Sequence, residues 1–536
     1  MTRCLMIQPE FRSPSFWKYR PTCQLTGARY PAAPLGLITV AALLPPDWEV
    51  RLIDRNVDEW DPALLDWADL VMTGGMLPQQ RDCLDLIRLS KRHGKTVIVG
   101  GPDPTSSPHV YAEADHLVLG EAEVTLPLFL ADRTAGVPRA IYQSEERADV
   151  SASPCPRFDL LRFDRYLHVG VQWCRGCPFN CEFCDIIELF GRVPRSKTPA
   201  QMLRELERLY QLGYRGHVDL VDDNFIGNKR LVKAFLPELK VWLEQHRWPF
   251  EFSTEASINL ADDAQLLELM QSVGFFAIFV GIESPDEATL LAAQKRQNTK
   301  RSIADSIRTI NRHGIFVNAG YILGFDSESK GAARNIIACV EATAIPVNMA
   351  GLLTALPGTQ LTKRLLREGR LHEQFDRAPE EVGDQCTGGL NFETARPREE
   401  ILGDYLEVIE TIYEPKRYFD RVLRTGLALD TSQVRYRPAA RFVGRQLKAL
   451  WSLCRTLGAW KETRAHYWRV VWQMLLKNPG GFRHAVSLMA LYLHMGPFSR
   501  YVAARTCDSI AEERRRRDRT GIAPVLETVA ASSSLG

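Results

Sequence analysis

The stretch Arg175-Gly-Cys177-Pro-Phe-Asn-Cys181-Glu-Phe-Cys184 sets three cysteines at the spacing C-x3-C-x2-C, directly after an apolar segment that is typical of a strand. Cubane iron–sulfur clusters are held by cysteine thiolates, and three protein ligands leave the fourth iron open to a small molecule. A zinc site is the alternative, but it needs a fourth ligand at similar spacing, and only Cys174 is near. The spacing therefore predicts a 4Fe-4S cluster on Cys177, Cys181 and Cys184.

Around this motif, short apolar segments alternate with amphipathic ones between residues 166 and 385. The segments that predict strands are 168–173, 218–222, 250–256, 277–283, 316–325 and 349–356. Helical patterns separate them, so the α/β series predicts six βα units, which suits a partial (β/α)6 barrel of parallel strands. In such barrels the chemistry lies at the C-terminal ends of the strands.

A first strand–helix series fills residues 1–143, with strands predicted at 4–9, 49–54, 70–75, 96–101 and 116–121. Near-continuous apolar strands indicate a parallel sheet covered on both faces, as in a Rossmann-like domain. Two strands end in paired glycines, Gly74-Gly75 and Gly100-Gly101, where a ligand can approach the backbone. We predict a cofactor-binding domain, the alternative being a plain doubly wound domain, followed by a linker over residues 144–165.

Composition favours a soluble protein of the cytoplasm. Hydrophobic residues make up 45% and charged residues 25% of the chain, and its start lacks the order of residues found in a signal peptide. Twelve cysteines without a secretion signal indicate a reducing compartment. The apolar run over residues 485–495 is far shorter than the roughly 20 residues that a membrane-spanning helix needs.

The last part of the chain differs from the rest. Residues 386–510 carry mainly helical patterns, and residues 511–536 predict a disordered tail. Residues 431–520 hold 18 Lys and Arg against 5 Asp and Glu, a net charge of +13, whereas the whole chain carries +2. Four tryptophans lie in the same segment: Trp451, Trp460, Trp468 and Trp472. Such helices suit contact with a membrane surface, although an ordinary helical domain with solvated arginines fits equally well.

The three-cysteine motif, with the aromatic Phe183 before its last cysteine, resembles that of the radical S-adenosylmethionine (SAM) superfamily. The resemblance implies that the open iron binds SAM, and that one electron splits it into methionine and a 5′-deoxyadenosyl radical. Family members usually carry a small residue at the position of Cys174, which implies that Cys174 is a packed thiol and not a ligand. The resemblance also covers residues at the ends of the later strands, where the family binds SAM. We therefore expect SAM contacts from Phe183, Asp222, Asp223, Glu255, Glu283, Ser284, Gly320 and Gly324.

The N-terminal domain resembles the cobalamin-binding domain of the B12-dependent branch of that superfamily, on stretches such as Thr73-Gly-Gly-Met76-Leu-Pro-Gln-Gln80 and Gly120-Glu-Ala-Glu123. It contains no Asp-x-His-x-x-Gly motif, so a histidine of this domain is not expected to ligate cobalt. A degenerate domain that binds nothing is the alternative. The resemblance implies cobalamin contacts from Gly74, Gly75, Met76, Gln79, Gly100, Gly101 and Gly120.

Together the two halves imply a methyltransferase that moves a methyl group from SAM, by way of methylcobalamin, to an unactivated carbon. Residues 1–500 are similar to hopanoid C-2 methylases, which suggests C-2 of a hopanoid as the acceptor, an electron donor such as a ferredoxin or flavodoxin, and peripheral contact with the inner face of the membrane. The alternatives are methylation of another apolar natural product, a cyclase or ring-rearranging enzyme, and a cobalamin or redox sensor without enzymatic activity. We expect no nucleic-acid partner, because residues 1–150 lack the second cysteine set of the radical enzymes that modify transfer RNA.

Overall fold

The computed structural model describes residues 1–379, 382–433, 435–436 and 440–520. In the N-terminal region the strands are β1 (Arg3–Gln8), β2 (Tyr30–Ala32), β3 (Glu49–Asp54), β4 (Leu70–Gly74), β5 (Thr96–Gly100), β6 (His116–Val118) and β7 (Ile141–Tyr142). The helices there are α1 (Arg20–Thr26), α2 (Leu35–Ala42), α3 (Leu64–Trp67), α4 (Gln80–Arg92), α5 (Pro102–Ser106) and α6 (Ala122–Thr134).

Six of these strands form one parallel sheet in the order β3-β1-β4-β5-β6-β7. Its central strands are apolar along their whole length because helices cover both faces, and the side chains of Cys4 to Ile7 in β1 are fully buried. The strand order reverses at β1, which has β3 on one side and β4 on the other. A crevice opens at such a point beyond the C-terminal strand ends, as the Rossmann-like prediction requires.

The second region contains β8 (Tyr166–Val171), β9 (Cys174–Arg175), β10 (Arg195–Ser196), β11 (Gly216–Leu220), β12 (Phe250–Glu255), β13 (Phe275–Glu283), β14 (Phe316–Leu323) and β15 (Asn348–Leu352). Its helices are α7 (Ile186–Leu189), α8 (Pro199–Gln211), α9 (Lys229–Gln245), α10 (Ala264–Ser272), α11 (Glu287–Ala292), α12 (Ile303–Arg312), α13 (Ala332–Thr343) and α14 (Gln360–Arg367).

The six predicted barrel strands are confirmed, and a seventh strand joins them. The parallel sheet runs β15-β14-β13-β12-β11-β8-β2. Strand β2 comes from the N-terminal region and pairs with β8, with Tyr30 opposite Tyr166 and Ala32 opposite His168. A strand of three residues containing Pro31 has too little periodicity to be predicted from sequence. It extends the barrel sheet at its β8 edge and ties the two regions together.

The third region is helical, as predicted, with α15 (Arg398–Ile412), α16 (Pro415–Ala428), α17 (Ala440–Arg455), α18 (Arg464–Lys477) and α19 (Phe482–Thr520). Helix α19 continues through residues 511–520, so the predicted start of a disordered tail at residue 511 is corrected. Arg514 and Arg517 bind the Glu399 carboxylate of α15 at 2.6 and 2.9 Å and hold this end of the helix in place. Residues 521–536 lie outside the described residues.

None of the helices in the described ranges combines the length and the apolar character needed to cross a bilayer.

The fully buried Arg421 of α16 joins the helical region to the barrel. Its guanidinium donates to the Ile345 carbonyl at 2.9 Å and to the Ile412 carbonyl, and pairs with Glu341 at 2.8 Å. Truncation would leave buried acceptors without a donor, so we expect Arg421→Met to lower the free energy of unfolding by about 3–5 kcal/mol in urea titrations.

The matched control is Arg417→Met, one turn away. Arg417 is 42% exposed and lies 3.7 Å from the same Glu341 carboxylate, so its loss should cost less than about 1 kcal/mol. Equal, small effects of the two substitutions would contradict the anchoring role of Arg421.

Candidate active site

The C-terminal ends of the two large sheets face each other across one cavity of about 2310 Å³. Its N-terminal wall contains every residue that the sequence assigned to cobalamin: Gly74, Gly75, Met76, Gln79, Gly100, Gly101 and Gly120. Met76 is half exposed there, and Gln79 fixes the loop by accepting from the Met76 backbone at 3.2 Å and donating to the Pro9 carbonyl at 2.7 Å. This open wall of backbone and one flexible thioether fits a large flat ligand.

The structure shows a second reason why glycines are needed in these pairs, which the sequence did not reveal. A Cβ on Gly74 would lie 1.9 Å from the Gly100 carbonyl oxygen of the neighbouring strand, and Gly101 adopts a φ of +101°. Strands β4 and β5 therefore need glycine for their own close approach at this end, and a flat wall for the ligand results from it.

The three cysteines of the motif lie in the loop between β9 and α7, just behind the cavity lining. Cys181 is buried, Cys177 and Cys184 are half-buried, and all three are free thiols. The Asn224 amide lies 3.9 Å from the Cys177 sulfur, and the Gln297 amide donates to the Cys181 sulfur at 3.6 Å. Amide donors of this kind stabilise thiolates, so the loop fits a cluster.

Among the described residues, no three His, Cys, Asp or Glu side chains converge on a point that could hold a single metal ion. A cubane cluster does not need such convergence, since each thiolate binds a different iron at a different corner. The three thiols therefore stay candidate ligands for three corners of a cluster.

Asp222 shapes the start of this loop. Its Oδ1 accepts hydrogen bonds from the backbone N–H groups of Trp173 at 2.8 Å and Cys174 at 2.6 Å, and its side chain is buried. The structure therefore does not place Asp222 in the cavity lining, and its predicted contact with SAM rests on the motif alone. Asp223 does line the cavity, and Cys174 is buried with its sulfur donating to the Asn224 carbonyl at 3.6 Å, as a packed thiol.

A partly buried ion-pair network, which sequence reasoning missed, joins the cysteine loop to the N-terminal domain. Arg175 pairs with Glu121 at 3.2 Å and with Glu123 at 2.7 Å, and Arg195 pairs with Glu121 at 2.6 Å. Although desolvation opposes ionisation, the hydrogen bond from Arg175 lowers the pKa of Glu123 to about 2. The stretch Gly120-Glu-Ala-Glu123 was singled out from sequence, but its arginine partners were not.

Two further residues that were predicted to contact SAM, Glu283 and Ser284, bind other residues of the protein. Glu283, with a φ of 64°, pairs with Lys295 at 2.5 Å, and the Lys295 ammonium lies 5.9 Å from the Phe183 ring. Ser284 is buried and accepts from the Asp286 backbone at 3.1 Å. Neither Glu283 nor Ser284 lines the cavity. Lys295, which the sequence analysis did not single out, places a positive charge beside the thiolates.

The predicted glycines of β14 and the turn that follows it are explained by packing. A Cβ on Gly320 would lie 3.1 Å from the Phe279 ring, and one on Gly324, whose φ is +104°, would lie 2.6 Å from Leu390. Neither is part of the cavity lining, so their predicted contact with SAM rests on the motif alone.

Glu255, at the end of β12, extends into the cavity. Desolvation inside the protein, followed by the negative charges of Asp219 and Asp223, raises the pKa of Glu255 from 4.5 to about 8. Desolvation also raises the pKa of Asp223 to about 6, against the hydrogen bond it accepts from Gly176. Glu255 therefore holds its proton to higher pH than a carboxyl in water does, and because its side chain is exposed to the cavity, solvent there weakens this effect.

A B12-type domain whose strand ends face a half-barrel with a three-cysteine loop defines the class of radical SAM enzymes that use cobalamin. Family models agree: the B12 binding domain matches residues 24–130, the Radical SAM superfamily matches residues 171–339, and a domain of unknown function matches residues 359–507.

Whole-chain relatives extend this class. The chain is 43% identical to an uncharacterized methyltransferase of Synechocystis sp., over 99% of this chain and 100% of that protein. It is 32% identical to the hopanoid C-2 methylase of Rhodopseudomonas palustris, over 87% of this chain and 88% of that protein.

Solved structures share the fold. The cobalamin-dependent SAM radical enzyme OxsB aligns with a TM-score of 0.58 at 14% identity, covering 98% of this chain and 81% of that chain. The radical SAM methyltransferase TsrM from Kitasatospora setae aligns with a TM-score of 0.59 at 15% identity, covering 84% and 99%.

The chain belongs to the cobalamin-binding radical SAM family. It is a cobalamin-dependent radical SAM methyltransferase with a 4Fe-4S cluster, SAM and cobalamin as its cofactors, which confirms the prediction of an enzyme.

Substitution of the cysteines tests the cluster ligands. We expect Cys177→Ala, Cys181→Ala and Cys184→Ala each to lose nearly all cluster iron after anaerobic reconstitution, because a cube held by two thiolates is easily released. Cys174→Ala is the matched control and should keep the wild-type ratio of iron to protein. Loss of iron from the control alone would show that the ligands are misassigned.

The raised pKa of Glu255 predicts a pH-dependent stability difference. The unfolded chain ionises near pH 4.5, whereas the folded protein holds the proton to about pH 8. Compared with Glu255→Gln, the wild-type apoprotein should therefore lose stability as pH rises from about 4.5, with the loss complete above about pH 8. Melting temperatures of both proteins at pH 5, 7 and 9 measure this difference; a constant offset would contradict it.

Proposed function

We propose that this protein methylates C-2 of a hopanoid, a rigid, apolar pentacyclic lipid. The observation that carries the proposal is the similarity to the Rhodopseudomonas palustris hopanoid C-2 methylase along nearly the full length of both chains. The size of the cavity supports it, since ordinary ligand pockets have volumes of about 300–1,000 Å³ and this one exceeds that range severalfold. Two cofactors and a large lipid need such space.

The roles of individual residues are part of the proposal. Cys177, Cys181 and Cys184 hold the cluster, and the wall from Gly74 to Gly120 supports cobalamin. When bound, the cofactors supply the electron, the radical and the methyl group. Asp223 and Glu255 contact SAM from the cavity side, and Lys295 balances the charge of the thiolates.

An apolar substrate is supported by one side of the barrel interior. Phe279, Phe316 and Met349 line the cavity there, and Trp17 packs on Phe279 with ring centroids 5.4 Å apart. Aromatic and thioether surfaces of this kind exclude water and bind hydrocarbon by area. They also keep water from a reactive radical.

Contact with the inner face of the membrane is supported by α17 and α18. Trp451 and Trp472 are 59% and 60% exposed, and exposed leucines lie near them on the same helices. Lys and Arg side chains share these helices. Apolar side chains within a basic surface suit an anionic bilayer, where tryptophan favours the interface. We place the protein in the cytoplasm, with a ferredoxin or flavodoxin as electron donor.

Product analysis tests the substrate. We expect anaerobically reconstituted holoenzyme, given reductant, SAM and a hopanoid in mixed micelles, to yield a product heavier by one methylene, measured by mass spectrometry. Cys177→Ala is the inactive control. 5′-Deoxyadenosine with an unmethylated rearranged product would favour a cyclase, and 5′-deoxyadenosine without hopanoid product would favour another apolar acceptor. Unchanged methylated hopanoids in a strain lacking the gene would also contradict the proposal.

Vesicle flotation tests the membrane contact. We expect Trp451→Glu combined with Trp472→Glu to reduce binding to anionic vesicles about 10-fold or more, because two apolar anchors become charged. Val137→Glu, at an exposed apolar site of the N-terminal domain, is the matched control and should bind like wild type. Equal binding of all three proteins would leave α17 and α18 without a role at the membrane.

A further inference from the structure

The cavity does not stop at the cofactor end of the barrel. It continues along the barrel axis to the N-terminal ends of the strands, where Phe276, Phe316 and Glu251 line it. There it meets α17 and α19, whose Leu447, Leu450 and Leu491 belong to the same lining. Leu447 is also largely exposed to solvent.

Within this interior, one wall carries a chain of hydrogen bonds across β11 and β12. Ser253 Oγ donates to Asp219 Oδ1, and His217 Nε2 lies 2.6 Å from the same Ser253 oxygen. Strand pairing sets Asp219 directly opposite Ser253. All three side chains line the cavity, in contrast to the aromatic wall formed by β13 and β14.

The direction of the bonds follows from the number of protons. A serine hydroxyl has one hydrogen, and Ser253 gives it to Asp219. His217 Nε2 must then carry a hydrogen and donate it to Ser253. Burial, followed by His168 and the charge of Arg483, lowers the pKa of His217 well below 6.5, so the ring is neutral and its Nδ1 is an acceptor.

The hydrogen-bonding positions that remain open on His217 and Asp219 are therefore acceptors. Within the described part of the chain, Asp219 Oδ2 has neither a hydrogen-bond donor nor a cation, and the side chain of His217 has no other hydrogen bond. Glu251 lies two residues before Ser253 on β12. Unlike Asp219, it has a cationic partner, because it forms an ion pair with Arg483 of α19. Asp219 thus faces the cavity with one carboxylate oxygen, Oδ2, that accepts no hydrogen bond from the described residues.

We propose that Asp219, positioned by Ser253 and His217, binds a hydrogen-bond donor, a hydroxyl or ammonium group, on an otherwise apolar substrate. The inference rests on the proposed transfer of a methyl group to an apolar acceptor and adds a polar anchor to it. Ser253 lies two residues before Glu255 on β12, so the anchor is about 7 Å below the cofactor end. A rigid substrate held there presents a fixed carbon to the cofactors.

Ligand binding tests the anchor without turnover. The holoenzyme with cluster and cobalamin, but without reductant, is titrated with three detergent-solubilised probes: a pentacyclic triterpene alcohol, the hydrocarbon lacking only the hydroxyl group, and the corresponding primary amine. We expect wild type to bind the alcohol or the amine about 10-fold more tightly than the hydrocarbon, as for a hydrogen bond to a charged acceptor. The order of alcohol and amine identifies the donor.

Asp219→Asn should remove this preference, because an amide N–H group can then face the ligand donor. Ser253→Ala, which leaves the carboxylate but frees it to rotate, should reduce the preference partly. Asp508→Asn, at an exposed carboxylate of α19, is the matched control and should keep it. Iron and cobalamin contents equal to wild type show that each variant is folded.

Equal affinity of wild type for all three probes, or an unchanged preference in Asp219→Asn, would overturn the anchor. Methylation assays separate this result from failure of the proposed function. If Asp219→Asn loses the preference but wild type forms no methylated hopanoid, the anchor is supported and the hopanoid substrate is refuted. If wild type methylates the hopanoid but binds the alcohol, the amine and the hydrocarbon equally well, the hopanoid substrate is supported and the anchor is refuted.

Discussion

The ion-pair network of Arg175, Arg195, Glu121 and Glu123 is the constraint on which the rest of the site depends. The cysteine loop would hold the cluster and the N-terminal sheet would hold cobalamin, so the two parts of the chain need a fixed distance between them. The network joins the turn after β6 directly to the residue two positions before Cys177. Separating the two regions would leave these charges unpaired, with Glu121 buried, and this cost opposes a change in their relative position.

Strand β2 adds a second tie between the same regions. By pairing with β8 it makes the N-terminal region a structural part of the barrel sheet. The Arg175 network acts at the C-terminal end of the barrel, and β2 acts along its β8 edge. The two sheets therefore face each other across one continuous cavity.

Much of this arrangement could be predicted from sequence. The apolar strands of both sheets and the spacing of Cys177, Cys181 and Cys184 depend on local patterns. Contacts between distant segments could not be predicted: β2 is too short for a periodic signal, and the partners of Glu121 lie 54 and 74 residues away. Motif matching assigned Asp222 and Glu283 to SAM, but it could not predict that Asp222 accepts hydrogen bonds from the backbone of residues 173–174 or that Glu283 pairs with Lys295.

The two interior carboxylates Asp219 and Glu255 are linked by their charges. They lie on adjacent strands at neighbouring levels, and the negative charge of Asp219 helps to keep Glu255 protonated. A donor bound to Asp219 would offset that charge and let Glu255 ionise at lower pH. Occupation of the lower barrel would then lower the pKa of Glu255 beside the cavity wall that faces the cysteine loop. The barrel axis thereby provides a physical route by which a bound substrate could affect the cofactor end.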